Sequence, residues 1–175
     1  SANAGSAGAS GKLAFTTGTT SQGNSGAFEF VSGAATNGRA GAFEVLVGAG
    51  DSGEGGRVTL SSGATSEDSM TGGRISLLAA SATGSDAFGG KVSVAAGAGA
   101  GAGGNIDLTA GASSENTGGS ITIATGEGAA LSSGSINVQT ANAATEGNSG
   151  NLLFSTGTTA EGNTGKVSLS TGALT

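Results

Sequence analysis

Residues 150–175 read GNLLFSTGTTAEGNT followed by GKVSLSTGALT, and residues 11–25 read GKLAFTTGTTSQGNS. These stretches share one pattern: a lead glycine, apolar residues at the third and fifth positions, Thr at the seventh, glycine at the eighth, and then a short polar stretch. The pattern recurs along the chain at spacings of 14 to 17 residues. The lead glycines are Gly11, Gly26, Gly41, Gly56, Gly73, Gly90, Gly104, Gly119, Gly134, Gly150 and Gly165. Repetition with a period in this range is typical of solenoids.

The third and fifth positions carry most of the large side chains of the protein. Their occupants are Leu13 and Phe15, Phe28 and Phe30, Phe43 and Val45, Val58 and Leu60, Ile75 and Leu77, Val92 and Val94, Ile106 and Leu108, Ile121 and Ile123, Ile136 and Val138, Leu152 and Phe154, Val167 and Leu169. This alternation of β-branched and aromatic residues predicts a strand with one buried side. Glycine at the eighth position in nine of eleven repeats predicts a corner where the backbone turns or approaches itself.

One such strand has no partner within its own repeat, but it can pair with the equivalent strand of the next repeat. We therefore expect an all-β fold, a single parallel β-solenoid (β-helix) of about eleven coils of ~15 residues stacked ~4.7–4.9 Å apart. The repeat domain would span residues 11–175, and residues 1–10 would form a leader or an N-terminal cap. Tight turns are expected at residues 23–26 and 162–165. In the two neighbouring 17-residue repeats, Met70 and Phe88 are expected to cover one another.

The composition leaves a second interpretation open. Hydrophobic residues make up 35% of the chain, aromatic residues only 3%, and 37 of the 175 residues are glycine. Few large side chains are available to offset conformational entropy, so low-complexity disorder competes with the solenoid. The regular spacing of the large apolar residues favours the solenoid.

Charge and residue types exclude several kinds of partner and site. The formal net charge is −6 and the six basic residues are scattered, which argues against a nucleic-acid partner. No stretch approaches the ~18 apolar residues of a membrane span. The chain has neither histidine nor cysteine, which excludes a Ser–His–Asp triad, a disulfide and a thiolate metal site. We expect no metal site and no cofactor.

The acidic pairs Glu67–Asp68 and Asp51–Glu54 fall in expected loops, where solvated charges are the simplest interpretation. General acid–base catalysis needs such groups in a pocket, so the protein is not expected to be an enzyme. The glycine-rich residues 97–104 lack the following helix of a phosphate-binding loop. The repeats also lack the recurring aspartate of calcium-binding solenoids.

If the third and fifth positions point inward, the fourth and sixth point outward and form a flat strip rich in Ser, Thr and Ala. In composition and period, residues 11–175 resemble the short-coil β-solenoids of ice-binding (antifreeze) proteins, in which a flat face of regularly spaced groups orders water to match ice. The resemblance implies adsorption to ice through a face formed by Thr16, Thr59, Ser61, Ser76, Ser93, Thr109, Thr122, Asn137, Ser155, Ser168 and Ser170.

The same pattern also resembles repeats of cell-surface adhesins and phage tail fibres. That resemblance implies the alternative function, an extracellular structural or adhesive repeat module that binds glycans. The expected partners are therefore an ice or water surface, or else glycans or further copies joined at the solenoid ends, one of which is residues 173–175. Both resemblances imply a secreted or cell-surface protein. Because the first residue is Ser, we expect a processed product or a piece of a longer chain.

Overall fold

The computed structural model describes residues 8–144 and 146–172, and within these ranges the backbone forms neither a helix nor a strand. The expected parallel β-solenoid, or β-helix, is therefore wrong, and the chain has an irregular, coil-rich fold. Ile121 and Ile123, which a solenoid would bury, are 55% and 70% exposed. Most of the expected leader and the expected end at residues 173–175 lie outside the described residues.

The repeat is nevertheless visible in the backbone, because a bend or turn occurs once in each of the first ten repeats. The bends and turns lie at residues 21–23, 36–38, 51–54, 67–69, 84–86, 100–101, 114–116, 129–131, 146–147 and 160–162. Between them run segments without regular hydrogen bonding. The turns expected at residues 23–26 and 162–165 lie about two residues earlier, on bends that end at Gly23 and Gly162.

Several bends contain a residue in the left-handed region. Gly23 and Gly162 have φ of 95° and 100°, while Asn37, Ser69 and Asp86 have φ of 58°, 60° and 58°. Asn and Asp tolerate this conformation better than other side chains, because their short polar groups hydrogen-bond locally. Ser69 is the least suited of the three.

The two 17-residue repeats place their extra residues at these turns. The N–H of Ala87 donates to the carbonyl of Gly84 over 3.2 Å, which closes a four-residue turn around Asp86. The side chains of Met70 and Phe88 remain 65% and 93% exposed. The prediction that they cover one another is therefore wrong.

One backbone hydrogen bond recurs at the base of the loops. It runs from the N–H of a lead glycine to the carbonyl of the eighth residue of the preceding repeat. The pairs are Gly73 to Gly63 (2.8 Å), Gly90 to Ala80 (2.8 Å), Gly104 to Gly97 (2.9 Å), Gly119 to Gly111 (2.9 Å) and Gly134 to Gly126 (3.1 Å). Each bond closes a loop whose ends meet, as in the compact Ω-type loops of other proteins. We call this bond the loop closure.

Close approach to the preceding repeat favours glycine at several lead positions. A β-carbon on Gly73 would lie 3.0 Å from the Cβ of Ser62 and 3.0 Å from the N of Gly63, and one on Gly56 would collide with Cγ1 of Val47. At the eighth-position glycines, such as Gly63, a β-carbon would meet nothing within 4 Å. The close approach of the backbone to neighbouring residues, which we predicted for the eighth-position glycines, therefore occurs at the lead glycines instead.

The first two segments run in opposite directions near the loop that joins them. A β-carbon on Gly26 would lie 3.8 Å from the Cβ of Thr17, and the ring centroids of Phe15 and Phe28 are 6.2 Å apart. Thr17 lies next to Gly26, and two residues farther from the loop on each segment Phe15 lies next to Phe28. Residue numbers thus decrease along one segment as they increase along the other, which is the antiparallel relationship. A parallel stack would instead place like positions of successive repeats over one another.

The chain divides into two compact units, Ser1–Val92 and Ser93–Thr175. The first contains four of the six phenylalanines in its first three repeats and the loop closures at Gly73 and Gly90. The second contains the loop closures at Gly104, Gly119 and Gly134. Across residues 8–144 and 146–172 no residue is buried, and only Ala110 and Gly128 are even intermediate in exposure.

Alanine at a lead glycine should open the loop that this glycine closes, whereas alanine at an eighth-position glycine should not. We expect Gly73→Ala to speed hydrogen exchange of the amide at position 73 by roughly 2- to 10-fold, since the added β-carbon opposes a hydrogen bond of about 0.5–1.5 kcal/mol. Gly63→Ala changes the other partner of the same bond, keeps its carbonyl and enters open space. Equal exchange rates in the two variants, measured by NMR, would refute the close approach.

Candidate functional site

The eleven residues predicted to form the ice-binding face are all described, and every one is exposed. They occupy the fourth and sixth positions of the repeats, between the lead glycine and the eighth residue. Thr59 and Ser61 share one segment, as do Ser168 and Ser170. Because no strand ladder joins the described segments, no backbone pairing sets the spacing of these side chains from one repeat to the next.

Side chains two residues apart within a segment lie on the same side of it. The rings of Phe28 and Phe30 have centroids 4.7 Å apart and meet edge to face, and Asn137 Nδ2 donates to Gln139 Oε1 over 3.4 Å. The first pair occupies the third and fifth positions and the second pair the fourth and sixth. We call the two sides the apolar side and the hydroxyl side, respectively.

Apart from Leu169, which is 93% exposed, the large residues of the apolar side are less exposed than those of the hydroxyl side, as the alternation predicts. On the apolar side, the third-position residues Ile106 and Val167 are each 52% exposed. On the hydroxyl side, Val31, Leu78 and Leu153 are 85%, 83% and 82% exposed. The difference is one of degree, since neither side is buried in the described part of the chain.

The hydroxyl side carries few internal hydrogen bonds. Among the eleven predicted face residues, Ser61 donates to the carbonyl of Ser62 over 3.4 Å and Asn137 bonds to Gln139, within the described part of the chain. The remaining hydroxyl groups face solvent, which leaves them available to a ligand or an ordered water layer.

The loops contain a second recurring feature, which the sequence analysis missed. The tenth position carries a hydroxyl in four repeats, and in each that hydroxyl hydrogen-bonds within its own loop. Thr20 Oγ1 donates to the Gln22 carbonyl at 2.7 Å, Thr159 Oγ1 donates to the Glu161 carbonyl at 2.7 Å, Thr65 Oγ1 accepts from the Glu67 N–H at 3.2 Å, and Ser113 Oγ accepts from the N–H groups of Glu115 and Asn116 at 3.4 and 2.9 Å. These bonds are of the type in which a Ser or Thr side chain imitates a backbone turn.

A sequence signal for this feature exists. In all four loops a Ser or Thr stands two residues before Gln or Glu, as in Thr65 before Glu67 and Ser113 before Glu115. The Glu side chains thus belong to loop positions whose backbone is held by a hydroxyl, and their carboxylates project into solvent. Glu67 and Asp68 are therefore solvated loop charges, as the sequence predicts for them.

We next consider metal-ligating groups, pockets and membrane-spanning helices among the described residues. Residues 8–144 and 146–172 contain no group of three His, Cys, Asp or Glu side chains placed to hold a metal ion. An open depression lies beside Leu169, Ser170 and Thr171, and residues of this single segment line it. The described residues also contain no helix long and apolar enough to cross a membrane.

Comparisons of the chain with protein-family models, curated proteins and solved structures find no match. Its function is therefore argued from its own repeats.

Removing one loop hydroxyl should loosen one loop only. We expect Ser113→Ala to free the amides of Glu115 and Asn116, which accelerates their hydrogen exchange by about 2- to 5-fold for a lost bond of roughly 0.5–1 kcal/mol. Ser114→Ala is the matched control, because its hydroxyl makes no such bond within the described loop. If both variants leave the two amides unchanged, the hydroxyl does not hold this loop.

Proposed function

We propose that the protein is an extracellular structural or adhesive repeat module, which presents the hydroxyl side of its segments to glycan-bearing surfaces. The observation that carries the proposal is the exposure of the same short segment in repeat after repeat, with hydroxyl and amide groups directed to solvent. The extracellular location rests on the resemblance of the repeat to those of cell-surface adhesins.

The number of repeats supplies what a single segment lacks. One segment offers at most two hydroxyl groups at its fourth and sixth positions, which suffices only for a weak contact. Linked copies raise the effective concentration of each further contact, so that overall avidity exceeds the single-site affinity by ~10²–10⁴. Adhesion to a polymeric, repetitive ligand is the use to which such a chain is suited.

The chemistry of the hydroxyl side suits a carbohydrate ligand. Thr, Ser, Asn and Gln provide donors and acceptors that match the hydroxyl groups of a sugar. The acidic residues Glu29, Glu44 and Asp107 occupy fourth positions, where they act as further acceptors. A polyanionic ligand is disfavoured, since the formal net charge of the chain is −6.

Adhesion should depend on these hydroxyl groups collectively. We expect the triple variant Thr59→Val, Thr109→Val and Thr122→Val to reduce retention of the full chain on chitin or cellulose particles by about tenfold, since avidity multiplies the loss at each site. Valine keeps the shape of threonine and removes the hydroxyl. The control carries the same replacement at the loop residues Thr19, Thr117 and Thr158.

Retention that is absent in the parent chain, or reduced equally by the two triple variants, would count against the adhesive role. Retention should be measured at protein concentrations for which the oligomeric state in solution, without particles, is also known.

Adsorption to ice is the second candidate function. It is favoured by the exposure of all eleven predicted face residues, which are small and carry hydroxyl or amide groups. Because the protein is not a solenoid, the regular spacing of stacked coils no longer supports this candidate. This candidate therefore rests on the side chains alone and ranks below adhesion.

Ice adsorption makes a separate prediction for the same side of the segment. If it occurs, the purified chain shows thermal hysteresis and shapes ice crystals, and Thr122→Tyr lowers the hysteresis by about half or more because a bulky ring interrupts close contact. The loop variant Thr158→Tyr should leave it unchanged. A parent chain without hysteresis, measured by nanolitre osmometry, excludes this candidate.

A further inference from the structure

The apolar side of the segments is the largest feature without a role in the proposed function. It consists of the 22 third- and fifth-position residues, eleven of which fall in residues 11–92 and eleven in residues 93–172. Their exposure ranges from 52% to 93%. A monomeric soluble protein of 16.0 kDa has a surface of about 7,400 Å², whereas this chain exposes 17443 Å².

We propose that the apolar side of each unit is covered by the apolar side of a second copy of this chain. The second copy is thus a partner of the adhesive repeat module, and this proposal rests on the function proposed above. Adhesion uses the hydroxyl side and self-association the apolar side, so each segment serves both roles with alternate residues.

The area available matches what a stable dimer needs. At half to two-thirds exposure, each large apolar side chain leaves on the order of 100 Å² accessible, so ten of them leave about 1,000 Å² in each unit. A standard interface buries about 800 Å² per partner, and the largest apolar patch of a typical monomer is only about 300–600 Å². The summed apolar area of each unit thus reaches what one side of a standard interface buries.

The charges of the chain are arranged to permit this contact. The first, third, fifth and seventh positions of every repeat are uncharged, being glycine, large apolar and small residues in turn. Five of the six basic residues occupy second positions, and the acids lie in loops or at fourth positions. Two copies therefore meet through their apolar sides without apposing like charges, although each chain carries a formal net charge of −6.

The occupant is a second copy because its pattern is the one that fits. Every repeat presents the same pair of apolar positions, so two copies offer each other the same uncharged apolar surface and are self-complementary in chemistry. A symmetric dimer uses the same patch on both subunits and so needs only this self-complementarity.

The first unit contains a preformed centre for the contact. The rings of Phe15 and Phe28 stack with centroids 6.2 Å apart, Phe28 meets Phe30 edge to face at 4.7 Å, and Phe30 meets Phe43 at 5.6 Å. Four aromatic side chains thus form one continuous exposed group across three repeats. Clustered aromatic residues of this kind dominate the binding energy of interfaces.

The test compares two double variants of the full chain by sedimentation and light scattering over a wide dilution series. The parent chain should show the mass of two chains, dissociating on dilution. We expect Phe28→Ser with Phe30→Ser to weaken association by at least about tenfold. The control, Val31→Ser with Leu46→Ser, removes two more exposed apolar residues from the hydroxyl side and should change it by less than about twofold.

A second measurement reports on coverage at a single position. The chain has no cysteine, so a single introduced thiol is unique. The labelling rate of Ile121→Cys by a soluble thiol reagent should fall as protein concentration rises, while that of Thr122→Cys stays constant.

The outcomes separate this inference from the proposed function. A single-chain mass at all concentrations overturns the self-association, and so does an equal response of the two double variants or of the two thiols. If that monomer is still retained on polysaccharide particles through its hydroxyl side, the adhesive function stands without it. A discrete dimer that no polysaccharide retains supports the self-association and removes the adhesive role.

Discussion

The hydrogen bond between a lead-glycine N–H and the carbonyl of the preceding eighth residue is the constraint on which the described structure depends. It brings together groups only seven to ten residues apart, such as Gly104 with Gly97 and Gly73 with Gly63. The entropy cost of closing so short a loop is small, and a backbone bond needs no particular side chain. Where it forms, the bond closes the loop and brings the lead glycine close to the seventh and eighth residues of the preceding repeat, where a β-carbon would be crowded, as at Gly73 and Gly90.

Alternation along each segment gives this open chain two different surfaces. The apolar side holds most of the large hydrophobic residues, and the hydroxyl side holds Ser, Thr, Asn and Gln with alanine, a few acids and four large apolar residues. The chain, which is rich in glycine and other small residues, does not bury its own apolar side within the described ranges. The exposed apolar area gives the chain a reason to associate.

The sequence was informative about local features and uninformative about how segments pair. Period and alternation predicted the position of each segment and the difference in exposure between Ile106 and Leu153, since these depend on neighbours in the chain. A period of two is the same for parallel and antiparallel neighbours, so it could not exclude the parallel stack. The lead and eighth glycines look alike in sequence, and only their surroundings show that Gly73 is crowded and Gly63 is free. For the candidate site, the sequence identified exposed residues, but it could not supply their spacing between repeats.

A loop closure made only of backbone atoms tolerates variation in the length of the loop that it spans. Lengthening a loop from six to nine residues costs about a few tenths of a kcal/mol, and the chain contains both lengths, at residues 98–103 and 64–72. Insertion, deletion or duplication of a whole repeat by recombination between similar coding stretches would therefore leave the neighbouring repeats intact. A gene of this kind can change its number of repeats over generations while the protein keeps both its apolar side and its hydroxyl side.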